Sequence, residues 1–188
     1  EYSVIASQVL LTKNIMLDPR SRENATNTFL ELLNLGTVPV VNENDTVSTS
    51  EINQVESFGD NDQLAAIVGA VVHADLVILL SDIDGLFTDD PKKNPDAKFI
   101  PFIPEINGDI LEMGKSDSGS NVGTGGMSAK LAAARISTDS GADMVIARFT
   151  SADVITEILE GENVGTLFAA HENKDFDLVQ YLESEENA

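Results

Sequence analysis

Short apolar, β-branched runs alternate with helix-patterned segments along the whole chain, and this alternation constrains the fold more than any other feature. The runs are Val4 to Leu11, "TVPVVN" (Thr37 to Asn42), "LVILL" (Leu76 to Leu80), "MVIA" (Met144 to Ala147) and "GTLF" (Gly165 to Phe168). Continuous apolar runs of strand length suit a parallel sheet covered on both faces. Between them the 3.6-residue period predicts three helices. One runs from Arg22 to Leu35, with Ala25, Phe29, Leu32 and Leu33 on one face and Gly36 as its stop. The second runs from Asp62 to Ala74, with Leu64, Ile67, Val68, Val71 and Val72 turned inward. The third runs from Met127 to Ser140. Strands alternating with helices predict an α/β fold, a three-layer αβα sandwich with a mainly parallel central sheet.

Less regular stretches fill the rest. Glu43 to Gly59 reads as a polar loop, and "GLFTDDPKKNPDAKFIPF" as a turn-rich excursion holding a short hairpin. Short helices are expected around Ile110 to Met113 and from Val154 to Leu159. From Glu172 the chain reads as an acidic tail, a solvated helix or a frayed end.

Composition removes several function classes. Eleven Lys+Arg against 32 Asp+Glu leave a net charge of −21, which argues against nucleic acid and anionic membrane as partners. No run of about 18 apolar residues offers a transmembrane helix. The absence of cysteine removes disulfides and thiolate chemistry and is compatible with a reducing cytoplasm. The chain's 188 residues, 42% hydrophobic, suffice for one domain with a substantial core.

In open α/β sheets ligands bind beyond the carboxyl ends of the strands. Three polar clusters follow strand ends or start helices. "NENDTV" (Asn42 to Val47) offers amides at Asn42 and Asn44 and a carboxylate at Asp45 suited to an ammonium group; it also reads as a capped turn. "FGDNDQ" (Phe58 to Gln63) carries Asp60, Asn61 and Asp62. These residues suit magnesium, the orienting of a lysine, or a plain helix cap. Ser81-Asp82 closes the "LVILL" strand, and Asp84-Gly85 signals a turn. Against these stands G-T-G-G-M-S-A-K (Gly123 to Lys130), a glycine-dense turn entering a helix. Free N–H groups, the helix dipole and the Lys130 ammonium converge there, which suits a phosphate. The spacing is not that of a P-loop. His73 and His171 have no partner at metal or triad spacing and read as structural.

Taken in order, "VPVVNENDTV", "FGDNDQLAA", "ADLVILLSDIDGLFTDDP", "VGTGGMSAK" and "ILEGENVGTLF" resemble the glutamate 5-kinase (γ-glutamyl kinase) family of the amino acid kinase superfamily, from about Gln8 to Phe168. The resemblance implies ATP-dependent phosphorylation of the γ-carboxylate of L-glutamate, the first step of proline synthesis. It implies that Asp45 binds the substrate's amino group, with Asn61 and, more weakly, Asn42 beside it. Asp60 and Asp62 would organise Mg²⁺ or the catalytic lysines. Ser81, Asp82 and the turn Thr124, Gly125, Gly126, Met127, Ser128, Ala129 and Lys130 would hold ATP, with Lys130 stabilising the moving phosphoryl group. A cytoplasmic homo-oligomer, dimer or tetramer, with proline as feedback inhibitor, also follows from the resemblance.

Three departures accompany it. The family's opening lysine- and serine-bearing segments have no counterpart here, so residues 1–170 are expected to be the C-terminal part of the kinase domain, lacking its N-terminal strands and inactive alone. Residues 171–188 would be the tail, with no PUA domain. Arg148-Phe149 stands where the family has a small, glycine-containing turn, at the edge of the expected nucleotide pocket. Two alternatives carry different consequences: a kinase of the same superfamily acting on another acceptor, and a non-catalytic nucleotide-binding piece.

Overall fold

A computed structural model describes residues 3–47, 58, 60–115 and 126–184. Strands β1 (Ala6–Leu11) and β2 (Val38–Glu43) pair in parallel, with Ala6 opposite Val38 and Leu11 opposite Glu43. The crossover between them holds a short helix that the periodicity does not predict, α1 (Lys13–Leu17), and then α2 (Pro19–Asn34). Helix α2 begins earlier than its apolar spacing suggests. Asp18 caps it, accepting from the Ser21 N–H at 2.8 Å, and Pro19 takes the first helical position, where no N–H is needed. Phe29 is buried by this helix, whereas Leu33, expected on the same face, lies in the last turn and is 49% exposed.

The first two strands are buried on one side only, not on both as their apolar runs suggest. Leu11 is buried, and Val9 and Val41 pack against the core, but Val38 and Val40 are more than half exposed or nearly so, as are Val4 and Ile5 just before β1. Strand side chains alternate between faces, and α2 and α3 (Asn61–Val71) pack on β2 from one side. Among the described residues no helix covers the other side.

Helix α3 stops short of Ala74. His73 takes a left-handed conformation, φ 53°, and the Ala74 N–H returns to the Gly69 carbonyl at 2.9 Å, closing the helix before β3 (Leu76–Ser81). The second sheet has the order β3-β7-β8-β6. Here β6 is Phe102–Ile103, β7 Asp143–Arg148 and β8 Thr166–Phe168. Strands β3 and β7 run parallel, as do β6 and β8, while β7 and β8 are antiparallel. The predicted hairpin forms from β4 (Leu86–Phe87) and β5 (Phe99–Ile100). Its Phe87 and Phe99 rings meet edge-on at 5.3 Å. Strand β6 was not expected: it is only two residues long and too short for periodicity to register.

Thr166 ties the hairpin to the sheet. Fully buried, its hydroxyl accepts from the Leu86 N–H at 2.8 Å and donates to the Ile100 carbonyl at 2.6 Å. Gly165 before it has φ +74°, and a Cβ there would fall 2.2 Å from the Ile146 carbonyl oxygen, so the chain needs glycine to enter β8.

Helices α4 (Gly108–Lys115), α5 (Met127–Asp139) and α6 (Asp153–Leu159) lie near their expected places. The tail differs from the solvated or frayed end expected of it. It forms α7 (Leu178–Ser184), whose Leu182 is buried, with Phe176, Leu178 and Tyr181 packed on the core and α7 set against α1. A few apolar anchors suffice to dock an otherwise acidic segment. Ile67, Leu131, Ile136, Met144, Ile146 and Phe168 form the centre of the core, between the second sheet and helices α3 and α5. No helix among the described residues is long and apolar enough to cross a membrane.

Candidate active site

Chain order brings the polar clusters to one edge. Helix α3 leads into β3 and α5 into β7 through short turns, and each helix packs on the strand that follows it. A helix that turns back onto its following strand runs antiparallel to it. The N-termini of α3 and α5 therefore stand at the carboxyl ends of β3 and β7, where Ser81 and Arg148 face each other in register. Strand β2 likewise delivers Asn42 and, two residues past its end, Asp45 at its own carboxyl end.

At this edge α3 and α5 pack against each other and their first turns are joined by charge. Lys130 Nζ donates to Asp62 Oδ2 at 2.8 Å, with the two side chains only 10% and 20% exposed. A lysine in the first turn of a helix faces the positive end of the dipole and, once buried, loses its hydration. Asp62 compensates both costs from the neighbouring helix. Asp60 caps α3, its Oδ1 accepting from the Asp62 N–H at 3.0 Å. Its Oδ2 is buried with no hydrogen-bond partner among the described residues. Asn61, next in line, is exposed.

Gly126 is the N-cap of α5 and, as a glycine, contributes no side-chain cap to the leading N–H groups of that helix. Met127, Ser128 and Ala129 form its first turn, Ser128 being exposed. Helix α4 lies directly against this turn: a Cβ on Gly114 would come within 3.2 Å of the Ser128 Cα and 2.8 Å of the Leu131 side chain. The expected Thr124 and Gly125 contacts lie outside the described residues.

The carboxyl end of β3 carries a second ionic junction. Arg148 Nε donates to Asp84 Oδ1 at 2.5 Å and its NH2 group to Oδ2 at 3.4 Å, both side chains being about half exposed. The hydrogen bond from Arg148 holds the Asp84 carboxyl below the usual carboxylate range, and Asp84 raises Arg148 in turn. Ser81 Oγ donates to Asp82 Oδ1 at 3.2 Å, while the Ser81 carbonyl accepts from the Phe149 N–H at 2.8 Å. Asp84 reads in sequence as a turn residue. The cation that recruits it lies 64 positions away, and only the pairing of β3 with β7 brings the two together.

Asn42 and Asp45 are exposed, and among the described residues no hydrogen bond or ion pair links them to the Asp62–Lys130 pair. Thr46 Oγ1 donates to Asn44 Oδ1 at 2.7 Å and orders the turn that holds Asp45. No group of three or more His, Cys, Asp or Glu side chains suited to a metal occurs among the described residues.

Residues 1–148 match the amino acid kinase family. The glutamate 5-kinase of Clostridium perfringens (strain 13 / Type A) is 46% identical over 170 residues, covering 90% of this chain and 63% of that protein. That of Enterococcus faecalis (strain ATCC 700802 / V583) is 48% identical over 167 residues, covering 89% and 61%. The chain thus spans about three-fifths of the length of these relatives. The solved T. acidophilum isopentenyl phosphate kinase superposes with a TM-score of 0.57 at 19% identity, over 88% of this chain and 60% of that one, which is a likeness of fold. The match over residues 1–148, together with a mainly parallel α/β fold shared with solved kinases, places this chain in the amino acid kinase family.

Proposed function

We propose that the chain is the C-terminal part of the kinase domain of a glutamate 5-kinase, an enzyme that transfers the γ-phosphoryl group of ATP to the γ-carboxylate of L-glutamate, giving L-glutamyl 5-phosphate for proline biosynthesis. The observation that carries this reading is the Lys130–Asp62 pair. It unites the glycine turn of α5 with the G-D-N-D motif of α3 in one shielded, charged junction.

The chemistry asks for little else. An oxygen of the γ-carboxylate attacks the γ-phosphorus, and the bond to the bridging oxygen of ADP breaks. The acceptor is already an anion, so no protein nucleophile or base is required. Catalysis consists of positioning and of neutralising charge on the moving group. Lys130 supplies the neutralising charge, held in place by Asp62. The leading N–H groups of α5, with Gly126 to Ala129 and, beyond the described residues, Thr124 and Gly125, cradle the phosphates. Ser81 and Asp82 hold the nucleotide at the end of β3. Asp45 takes the ammonium group of glutamate, with Asn61 and Asn42 beside it.

Magnesium fits this donor set. It binds through one or two carboxylates, completing its shell with phosphate oxygens and water. The buried Asp60 Oδ2 and the neighbouring Asp62 are the groups that would hold it, and it would neutralise phosphate charge there. A cytoplasmic homo-oligomer inhibited by proline belongs to the same reading. In a chain of net charge −21 that meets two anionic substrates, local cations are indispensable.

The test is ADP formation by the full-length protein with ATP, Mg²⁺ and a panel of acceptors. Turnover dependent on L-glutamate supports the reading. Turnover with another acceptor and none with glutamate refutes it.

A further inference from the structure

Lys130 is one cation at the carboxyl edge of the second sheet, and Arg148 is another that the proposed chemistry leaves without a task. In sequence Arg148 is only a departure from the small turn expected after "MVIA". Strand pairing gives it a definite face.

Residues opposite each other in paired strands turn their side chains to one face, and every second residue along a strand shares it. Val77 and Leu79 of β3 are the register partners of Met144 and Ile146 of β7, and all four belong to the core shared with α3 and α5. A Cβ on Gly69 of α3 would fall 2.8 Å from the Val77 side chain, so α3 covers this face. The next residues in the same phase are Ser81 and Arg148, again opposite each other. Val145 and Ala147, in the other phase, are buried outside that core. Ser81 and Arg148 therefore leave the sheet on the face that carries α3 and α5, at the end where Asp62 and Lys130 meet. Just beyond them the Phe149 N–H donates to the Ser81 carbonyl at 2.8 Å and ties the two strand ends together.

The guanidinium of Arg148 is about half exposed, and Asp84 occupies its fork through both Nε and NH2. The hydrogen bond to Asp84, and after it the charges of Asp84 and Asp82, favour the charged form of Arg148. Phosphate and carboxylate oxygens suit the same two-pronged grip. Asp84 thus fills the place of an anion, in a pair that solvent already weakens. In a chain of net charge −21, an accessible guanidinium at this edge is a group to which a polyphosphate is drawn.

We infer that Arg148 is a phosphate-binding residue of the nucleotide site, its guanidinium exchanging the Asp84 carboxylate for two oxygens of an ATP phosphate. This inference rests on the kinase reading of the same edge. Lys130 serves the phosphoryl group in transit, whereas Arg148 serves the bound nucleotide.

The experiment compares Arg148→Gln, Arg148→Lys and Asp84→Asn in the full-length protein. Calorimetric titration with ATP and with adenosine is set beside steady-state kinetics and thermal melting. Arg148→Gln should weaken ATP binding about tenfold, the scale of one lost charge-assisted contact, while adenosine affinity, kcat and the KM for glutamate stay within about twofold. Arg148→Lys should recover only part of the loss, because an ammonium lacks the fork. Asp84→Asn should tighten ATP binding about two- to fivefold, the range an exposed pair is worth, since it removes the competing carboxylate. The inference falls if Asp84→Asn weakens ATP binding as Arg148→Gln does, which would make the pair a structural clamp. It falls equally if Arg148→Gln weakens adenosine as much as ATP, or lowers kcat and leaves ATP affinity intact. If Arg148→Gln fails to fold, Arg148→Lys and Asp84→Asn decide by the same ATP titration. Should wild-type protein bind ATP and turn over an acceptor other than glutamate, the reading of function fails by itself, and the ATP and adenosine affinities still decide the role of Arg148.

Discussion

Two ion pairs bridge distant segments near the same edge of the molecule, and they differ in what surrounds them. Lys130 and Asp62 join the first turns of two packed helices, with most of both side chains out of water. Arg148 and Asp84 join a strand end to a turn, with about half of each side chain in solvent. The exposed pair makes a two-pronged guanidinium–carboxylate contact, and solvent competes for both of its bonds. The helix pair meets at 2.8 Å, with far less of either side chain open to solvent. Burial sets how far water and salt can compete with each junction. In the proposed reading the more buried pair is the one that meets the phosphoryl group in transit.

Removing the cation of the buried pair should therefore produce the largest functional effect. Lys130→Ala is expected to lower kcat by about a hundred- to a thousandfold, the loss seen when one preorganised charge or donor is deleted, with the KM for ATP changing by far less. A change confined to ATP affinity would assign Lys130 to ground-state binding. Next comes stability. Asp62→Ala deprives a buried ammonium of its carboxylate and should cost on the order of 3 kcal/mol, the low end for breaking a buried pair, because Asp62 keeps a fifth of its side chain in solvent. Urea unfolding of the variant against wild type measures this, and an unchanged midpoint would show that the junction is far softer than its burial suggests.

The contrast between the two pairs was only half legible in the sequence. Long amphipathic stretches announced α3 and α5, and "LVILL" and "MVIA" announced β3 and β7, because burial on a repeating face leaves a period. Those elements put the strand-end clusters and the glycine turn at one edge, while the grouping of Asp60 and Asp62 with Lys130 came from the family resemblance. Neither source gives the Arg148–Asp84 pair. It depends on strand pairing across 64 positions and on a turn whose residues suit many conformations. The same limit hid the burial of Lys13, the open face of β1 and β2, and the docking of α7 through Leu182. Each depends on what packs against an element rather than on the element's own pattern. Thr124 and Gly125 remain proposals from the motif.

The exposed pair should yield the smallest effect, and one with a distinct pH signature. The hydrogen bond from Arg148 lowers the Asp84 carboxyl in the folded chain relative to its ordinary value near 3.8. A carboxyl depressed by folding adds stability that is fully present above its unfolded value and disappears as pH falls through the folded one. Asp84→Asn should thus melt slightly below wild type at neutral pH. The two melting curves should converge as the solution is acidified below the ordinary carboxylate range. Salt should narrow the same gap at neutral pH, since a half-exposed ion pair weakens as ionic strength rises. Asp62→Ala should behave differently, keeping most of its deficit in high salt because its pair is shielded from counterions. If salt instead erases the Asp62→Ala deficit and leaves that of Asp84→Asn untouched, the ranking of the two junctions by burial is wrong.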